Sequence, residues 1–401
     1  MSIYERFGIE PIINVAGSIT FYGGALMKSE ALDAMYEAAK HSVRLDELLA
    51  AASKVIAEIT HAEAGLVTAG ASAALTLGTA ACIAGFDVAK MNRLPDTTGM
   101  PNEVIMPWHQ ISGYDHAIKA AGTKLIGVGI PSATTHPDEI YVTTKWDIEG
   151  AITESTVAIA YAYLEDSHPP LEEVIALGKK YNIPVIIDAA DQVPPVENLH
   201  RLIDIGADLV CFSGGKGIRG SQGSGILCGR RDLISSAAIQ MLLIAGGPFE
   251  KWEPPASLIP KEKLRGSPEH GIGRGAKVTK EEIVGLLVAL QNLTEEKVAQ
   301  EAEHLRQLLG DIAARLEGIV GVEVRITEDY KGGSPQLEVK IDEQIVGKSA
   351  AEVSQRLKNG KPRIYVRERY LRKGIIIIHS INLDDETAKI VGERLYSIIA
   401  G

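Results

Sequence analysis

The sequence predicts an α/β fold, a large domain built on a mostly parallel sheet and followed by a smaller α+β C-terminal domain. Three observations predict it. Short apolar runs alternate with helix-patterned segments from about residue 46 to residue 229, as in a parallel sheet covered on both faces. Beyond Pro254 the pattern changes to a polar loop, long amphipathic stretches and then a second group of strands. The 401 residues also exceed the roughly 250–300 at which a single core stops growing.

Residues 1–45 read as an arm, with Ile12-Ile13-Asn14-Val15 as a short strand and Thr20 to Gly24 as a glycine-bearing loop. Residues 46–255 form the large domain. It begins with a helix over Asp46–Ile59, then a strand at Ala64–Thr68, the small-residue turn Ala69-Gly70-Ala71-Ser72, and a helix over Ala73–Ala84. Strands follow at 103–106, 124–128, 156–161 and 184–187, with helices at 115–121 and 170–181. Two more, Leu209–Phe212 and Gly225–Cys228, are placed to pair across the loop between them. Residues 256–401 form a bridging helical region (281–296 and 297–316) and the small domain, with strands at 322–326, 336–341, 364–366 and 374–379 and a closing helix at 385–399.

The composition is that of a globular protein, 45% apolar and 23% charged. A net charge of −11 speaks against a nucleic-acid partner, which needs a concentrated basic face. Cys82, Cys211 and Cys228 sit in apolar surroundings with no metal-ligand spacing, so reduced buried thiols and no metal are expected. The N-terminus lacks a basic segment followed by an apolar run, and no stretch is long enough to span a bilayer. A cytoplasmic protein with no membrane partner is expected.

The chemistry centres on Phe212-Ser213-Gly214-Gly215-Lys216-Gly217-Ile218-Arg219-Gly220, a lysine in a glycine loop directly after an apolar strand. Glycines admit a ligand close to the backbone, and a desolvated lysine loses protons more readily and becomes nucleophilic. That suits a Schiff base. The competing reading is a surface turn with a solvated lysine. Upstream, Asp188 ends the run Pro184-Val-Ile-Ile187, at the sheet edge where open α/β folds bind ligands. A carboxylate there keeps the pyridine nitrogen of pyridoxal 5'-phosphate (PLP) protonated, and small neighbours such as Ala190 leave room for the ring. The competing reading is a helix cap, and Asp191 is a lesser alternative for the ring contact. The Thr68–Ala73 turn offers backbone N–H groups, a helix dipole and the Ser72 hydroxyl to a phosphate, without a dinucleotide or ATP motif.

The run Asp208-Leu-Val-Cys-Phe-Ser-Gly-Gly-Lys-Gly-Ile-Arg-Gly-Ser-Gln-Gly-Ser-Gly225 resembles the lysine segment of the bacterial selenocysteine synthase-like PLP enzymes, a group that includes D-glucosaminate-6-phosphate ammonia-lyase. Ile13-Asn-Val-Ala-Gly17, the Thr68–Ala73 turn, Ile187-Asp188-Ala-Ala190 and Gly273-Arg274-Gly-Ala-Lys277 are similar too. The resemblance implies the aspartate aminotransferase-like (PLP-dependent transferase) fold and a homodimer or higher homo-oligomer. It implies Lys216 as the Schiff-base lysine, Asp188 as the pyridine partner, and Gly70, Ala71, Ser72 and Ser213 around the phosphate. It further implies Arg274 or Lys277 reaching the neighbouring subunit's phosphate, His109 (or Trp108) over the ring face, and Arg363 for the substrate carboxylate. The Arg363–Arg372 cluster reads equally as a solvated strand edge. His379 and Glu165-Asp166-Ser167-His168 are further candidates without a role.

Elimination of water and ammonia from a 2-amino-3-hydroxy acid, such as an amino sugar acid, to give a 2-oxo acid is the activity this resemblance favours. The alternatives are an amino acid racemase or epimerase and, from another class, a non-catalytic binding protein on the same fold. Gly214-Gly215 departs from the selenium enzymes, in which an acidic residue is expected beside the lysine.

Overall fold

The computed structural model describes residues 2–130, 142–164, 167–242, 248–328 and 334–401. Its strands are β1 (Ile12–Val15), β2 (Ala64–Thr68), β3 (Glu103–Pro107), β4 (Lys124–Val128), β5 (Thr156–Ala162), β6 (Val185–Asp188), β7 (Leu209–Ser213), β8 (Gly225–Gly229), β9 (Val322–Glu328), β10 (Pro335–Ile341), β11 (Arg363–Val366) and β12 (Ile375–His379). They divide between two compact units. One comprises residues 27–193 and 197–292, the other residues 1–26, 194–196 and 293–401. The boundaries expected near 45 and 255 therefore fall inside a unit. The expected arm divides at 26/27, because its helix Ser29–Ala39 packs on the helix Lys280–Gln291, where Gly285 lies against Met35.

The first unit holds a seven-stranded sheet in the order β2-β8-β7-β6-β5-β3-β4. Pairings from β7 through β4 are parallel, and β8 runs antiparallel between β2 and β7. Its central strands are apolar throughout because helices bury both faces: Ile105, Ile159, Ile186, Val210 and Phe212 are wholly enclosed. The helix Gly70–Ala84 packs on this sheet through Gly78, whose missing side chain lets the helix approach Leu209 of β7 and Leu227 of β8.

In the second unit β1 pairs in parallel with β11, from Ile12 opposite Arg363 to Val15 opposite Val366. A separate antiparallel sheet runs β12-β10-β9. Helices Glu295–Leu316, Ala350–Lys358 and Asp385–Ala400 close a core of Leu309, Ile312, Val339, Val353, Ile376 and Leu395. The bridging helices break at Asn292-Leu293, and Thr294 caps the second by accepting from Lys297 N–H. The expected break at 296/297 moves accordingly.

Candidate active site

Strand register assembles the site at one edge of the seven-stranded sheet. Gly225, the first residue of β8, pairs with both Thr68 on β2 and Ser213 on β7. A Cβ on Gly225 would stand 2.4 Å from the Gly70 carbonyl carbon and 2.6 Å from Ala71 N, so the turn after β2 rests on bare backbone. Gly70 opens the helix with φ +78°, a left-handed conformation natural to glycine. Thr68 Oγ1 donates to Gly70 O at 2.9 Å. The cap position of this helix is Ala69, which has no side-chain oxygen to offer the first-turn N–H groups, a helix start suited to cradle an anion. Ser72, in that turn, is exposed.

Two strands further along, the loop after β7 carries Lys216. Gly214 N–H donates to Ser224 O at 2.9 Å and Gly220 N–H to Gly214 O at 2.8 Å, folding the loop back on itself. Side chains at 214 and 215 would collide with Ser224 Oγ (2.2 Å) and Gln222 Cα (2.3 Å). The departure from an acidic residue beside the lysine thus has a steric cause. The Lys216 side chain is 24% exposed, which is not the solvated surface turn of the competing reading. Burial lowers its pKa, opposed by Tyr114 and Asp188, whose charges favour the ammonium. Asp191 Oδ2 lies 3.7 Å from its Nζ.

Asp188 ends β6, paired with Ala162 on β5 and Cys211 on β7. Its Oδ1 accepts from Ala190 N–H at 3.0 Å, while Ala189 N–H donates to Cys211 O and Ser213 N–H to Ala190 O. These bonds tie the Asp188 turn to the lysine loop. No helix follows until Asn198, so Asp188 orders a turn and caps no helix.

Beside Asp188 a small cavity of about 20 Å³ is lined by Gln110, Ser112, Tyr114, Asp115 and Tyr161, room enough for one water. Gln110 is 6% exposed; its Oε1 accepts from Ala162 N–H at 2.9 Å, and among the described residues its Nε2 has no partner. Burial pushes the Tyr161 hydroxyl up to about 12. Gln110 and Tyr114 went unpredicted. Gln110 directly follows His109, but one glutamine in a polar segment carries no signal of burial. His109 Nδ1 stands 3.3 Å from Thr143 Oγ1, and burial followed by the charge of His168 lowers its pKa. Trp108 lies over Gly127 of β4, where a Cβ would meet its ring at 2.4 Å.

Arg274 is half-buried in the short turn Ile272–Ala276, where Gly273 fits against Leu77. Arg363 and His379 belong to the other unit. Arg363 begins β11, an edge of the two-stranded β1-β11 sheet; its side chain is 38% exposed, donates from NH2 to Glu10 O at 3.0 Å, and its Nε lies 3.9 Å from the Glu10 carboxylate. Arg367 Nε donates to Ala16 O at 3.0 Å, and buried His379 accepts from Ile381 N–H at Nδ1. Glu165 and Asp166 lie outside the described residues. Cys211 and Cys228 are buried and Cys82 half-buried, and all three are free thiols.

This edge, with a half-buried lysine between a helix start and a carboxylate, defines a cofactor-dependent enzyme, and the chain belongs to the class-V aminotransferase family, which it matches over residues 130–340. Enzymes of this family depend on PLP, as this chain does. Over 99% of its length it is 28% identical to a Streptomyces 5'-C-glycyluridine monooxygenase-decarboxylase, covering 92% of that protein. It is 26% identical, again over 99% of its length, to the D-glucosaminate-6-phosphate ammonia lyase of Salmonella typhimurium, covering 98% of it. A solved D-glucosaminate-6-phosphate ammonia-lyase superposes with a TM-score of 0.80 at 26% identity, covering 100% of this chain and 98% of that one. Shorter matches run to bacterial L-seryl-tRNA(Sec) selenium transferases. Among the described residues no helix is long and apolar enough to cross a membrane.

The residues present fit PLP. The anion cradle, the desolvated amine and the carboxylate lie along one edge in the order β2, β7, β6.

Proposed function

We propose that the chain is a PLP-dependent lyase that removes water and ammonia from a 2-amino-3-hydroxy acid, possessing the carbon skeleton of an amino sugar acid, to leave a 2-oxo acid. In this reading Lys216 holds the cofactor covalently and Asp188 faces its pyridine nitrogen. The amides of Gly70, Ala71 and Ser72, with the Ser213 hydroxyl, hold the phosphate, and Ala190 leaves space for the ring. His109 covers the ring face, a role for which Trp108, packed on Gly127, is poorly disposed. Arg363 is assigned the substrate carboxylate. The reading carries a homodimer with it, in which Arg274 serves the neighbouring subunit's phosphate.

Bound there, PLP supplies an electron sink for the carbanion at the substrate's α-carbon. Lys216 is the base that removes the α-proton, and its lowered pKa gives it a larger neutral fraction at a given pH. As the 3-hydroxyl leaves with a proton, water is lost; the released enamine then tautomerises and exchanges ammonia for water. The net change is a 2-amino-3-hydroxy acid to a 3-deoxy-2-oxo acid plus ammonia.

The observation that carries the reaction class is the end-to-end likeness to the ammonia-lyase, in sequence and in fold together. The test is a visible absorbance spectrum of the purified protein and of Lys216→Ala, then a panel of D- and L-2-amino-3-hydroxy acids, with and without a phosphate, assayed for 2-oxo acid and ammonia. A band lost in the variant, with 2-oxo acid formed by the wild type, supports the reading. Stereochemical inversion without 2-oxo acid favours a racemase. Oxygen uptake with carbon dioxide release from 5'-C-glycyluridine favours the chemistry of the other full-length relative. Reconstitution that yields no lysine-dependent band overturns the cofactor role of Lys216.

A further inference from the structure

A second group of ligating side chains occurs on the seven-stranded unit, made by His61, His200 and Asp204. His61 ends the helix Leu45–Thr60 in a left-handed conformation, φ 56°. His200 and Asp204 stand four apart on the helix Asn198–Asp204 and so share one face. His200 Nδ1 is 2.8 Å from Asp204 Oδ2, and His61 Nδ1 is 3.0 and 3.2 Å from its two oxygens. The imidazoles stack, centroids 4.5 Å apart and planes at 29°. Side-chain exposures of 54, 33 and 46% leave the group open to solvent.

We propose that His61 Nδ1, His200 Nδ1 and Asp204 Oδ2 bind a divalent transition-metal ion of the zinc class, with the remaining position open to water. Around a tetrahedral ion with bonds of 2.0–2.1 Å, neighbouring ligand atoms stand about 3.3 Å apart. The separations of 2.8 and 3.2 Å from Asp204 Oδ2 need only a slight outward movement to admit one. An ionised carboxylate only accepts hydrogen bonds, so without metal both Nδ1 atoms must carry protons toward it. A cation at Nδ1 takes the place of that proton, which in a neutral ring moves to Nε2, so each imidazole ligates as its neutral Nε2–H tautomer. Two imidazoles and one carboxylate favour zinc-class ions over magnesium or calcium, which take oxygen donors. Such an ion clips the C-terminal end of the 45–60 helix to the 198–204 helix.

The test uses the PLP-loaded protein, stripped with a chelator and titrated with Zn²⁺ against a chromophoric competitor, and separately with Co²⁺ to read the visible d–d bands of a low-coordinate site. The expected result is one Zn²⁺ per chain, affinity weakened about 100-fold or more in His61→Ala and in His200→Gln, and a zinc-dependent rise in melting temperature absent from both. His200→Gln keeps a hydrogen-bonding side chain on the helix, so its loss of zinc binding is separable from misfolding. Equal zinc affinity in wild type and variants overturns the proposal. A wild type whose melting temperature ignores zinc while both variants melt lower also overturns it, reducing the trio to a hydrogen-bonded helix cap.

Discussion

Replacing Gly225 by alanine tests the packing on which the anion cradle depends. The new methyl would sit 2.4 Å from the Gly70 carbonyl carbon, 2.6 Å from Ala71 N and 2.7 Å from Gly70 O, where carbon contacts normally settle at about 3.5–4.0 Å. The obstacles are backbone atoms at the start of a fifteen-residue helix, so no side chain can rotate aside. Relief requires the helix start to lift by about 1 Å or β2 to part from β8, placing the cost at the upper end of overpacking, about 3 kcal/mol. At about 2–4 °C per kcal/mol for a unit of this size, the melting temperature should fall by roughly 6–12 °C. Lifting the first-turn amides should also weaken cofactor binding about tenfold or more, since hydrogen bonds to charged groups contribute about 1.5–3 kcal/mol each. The assay pairs thermal unfolding with PLP titration of the cofactor-free protein. Gly310→Ala is the control: it lies within the helix Glu295–Leu316 with open space around it, and should be neutral or gain up to about 1 kcal/mol. If Gly225→Ala matches wild type in both melting temperature and PLP affinity, the cradle is not built as argued.

Asp188→Asn should retain cofactor binding but lower turnover by about 10²-fold or more, because the amide cannot hold the pyridine nitrogen protonated; steady-state kinetics on the lyase substrate measures it. Gly215→Asp, which brings in the acid expected in the selenium enzymes, should misplace Lys216 because its Cβ would stand 2.3 Å from Gln222 Cα; loss of the lysine-dependent absorbance band reports this. Lys216 also predicts a pH dependence. Its pKa is depressed in the folded protein below the ordinary 10.5, so between those values the unfolded chain binds more protons. Stability of the cofactor-free form should therefore rise with pH across that window and be lost as pH falls through the depressed value. Urea unfolding at a series of pH values should show this slope in wild type and not in Lys216→Met.

The parts legible in the sequence were those whose signal is local. The strand, turn and helix of residues 64–84 were readable because near-continuous apolar runs bounded by small residues have few alternatives, and the strands that end at Asp188 and precede the Lys216 loop were readable for the same reason. Long-range information was not readable. β1 was recognisable as a strand needing a partner, but its parallel pairing with β11 joins residues some 350 apart, and no local pattern encodes that. The helices Ser29–Ala39, Asn198–Asp204 and Ala350–Lys358 were missed, the second being short enough that tertiary packing, more than propensity, holds it. Gly214-Gly215 looked like a chemical departure from relatives, while its cause is contact with Gln222 and Ser224, visible only when the loop is folded.

The antiparallel strand β8 explains why the site needs residues so far apart in the chain. By inserting between β2 and β7, it holds the helix start at Gly70 and the lysine loop two strand spacings apart, about 9–10 Å, and Asp188 stands one strand further. A ligand lying along this edge meets positive helix-end amides first, then an amine, then a carboxylate. That order matches a molecule with an anionic group at one end, an electrophilic carbon in the middle and a basic nitrogen at the other. Because Gly225 pairs with Thr68 and Ser213 at once, a single register fixes the cradle relative to the lysine loop. A shift of β8 by one residue would put a side chain where only glycine fits, so the packing that excludes other registers also sets the span of the site.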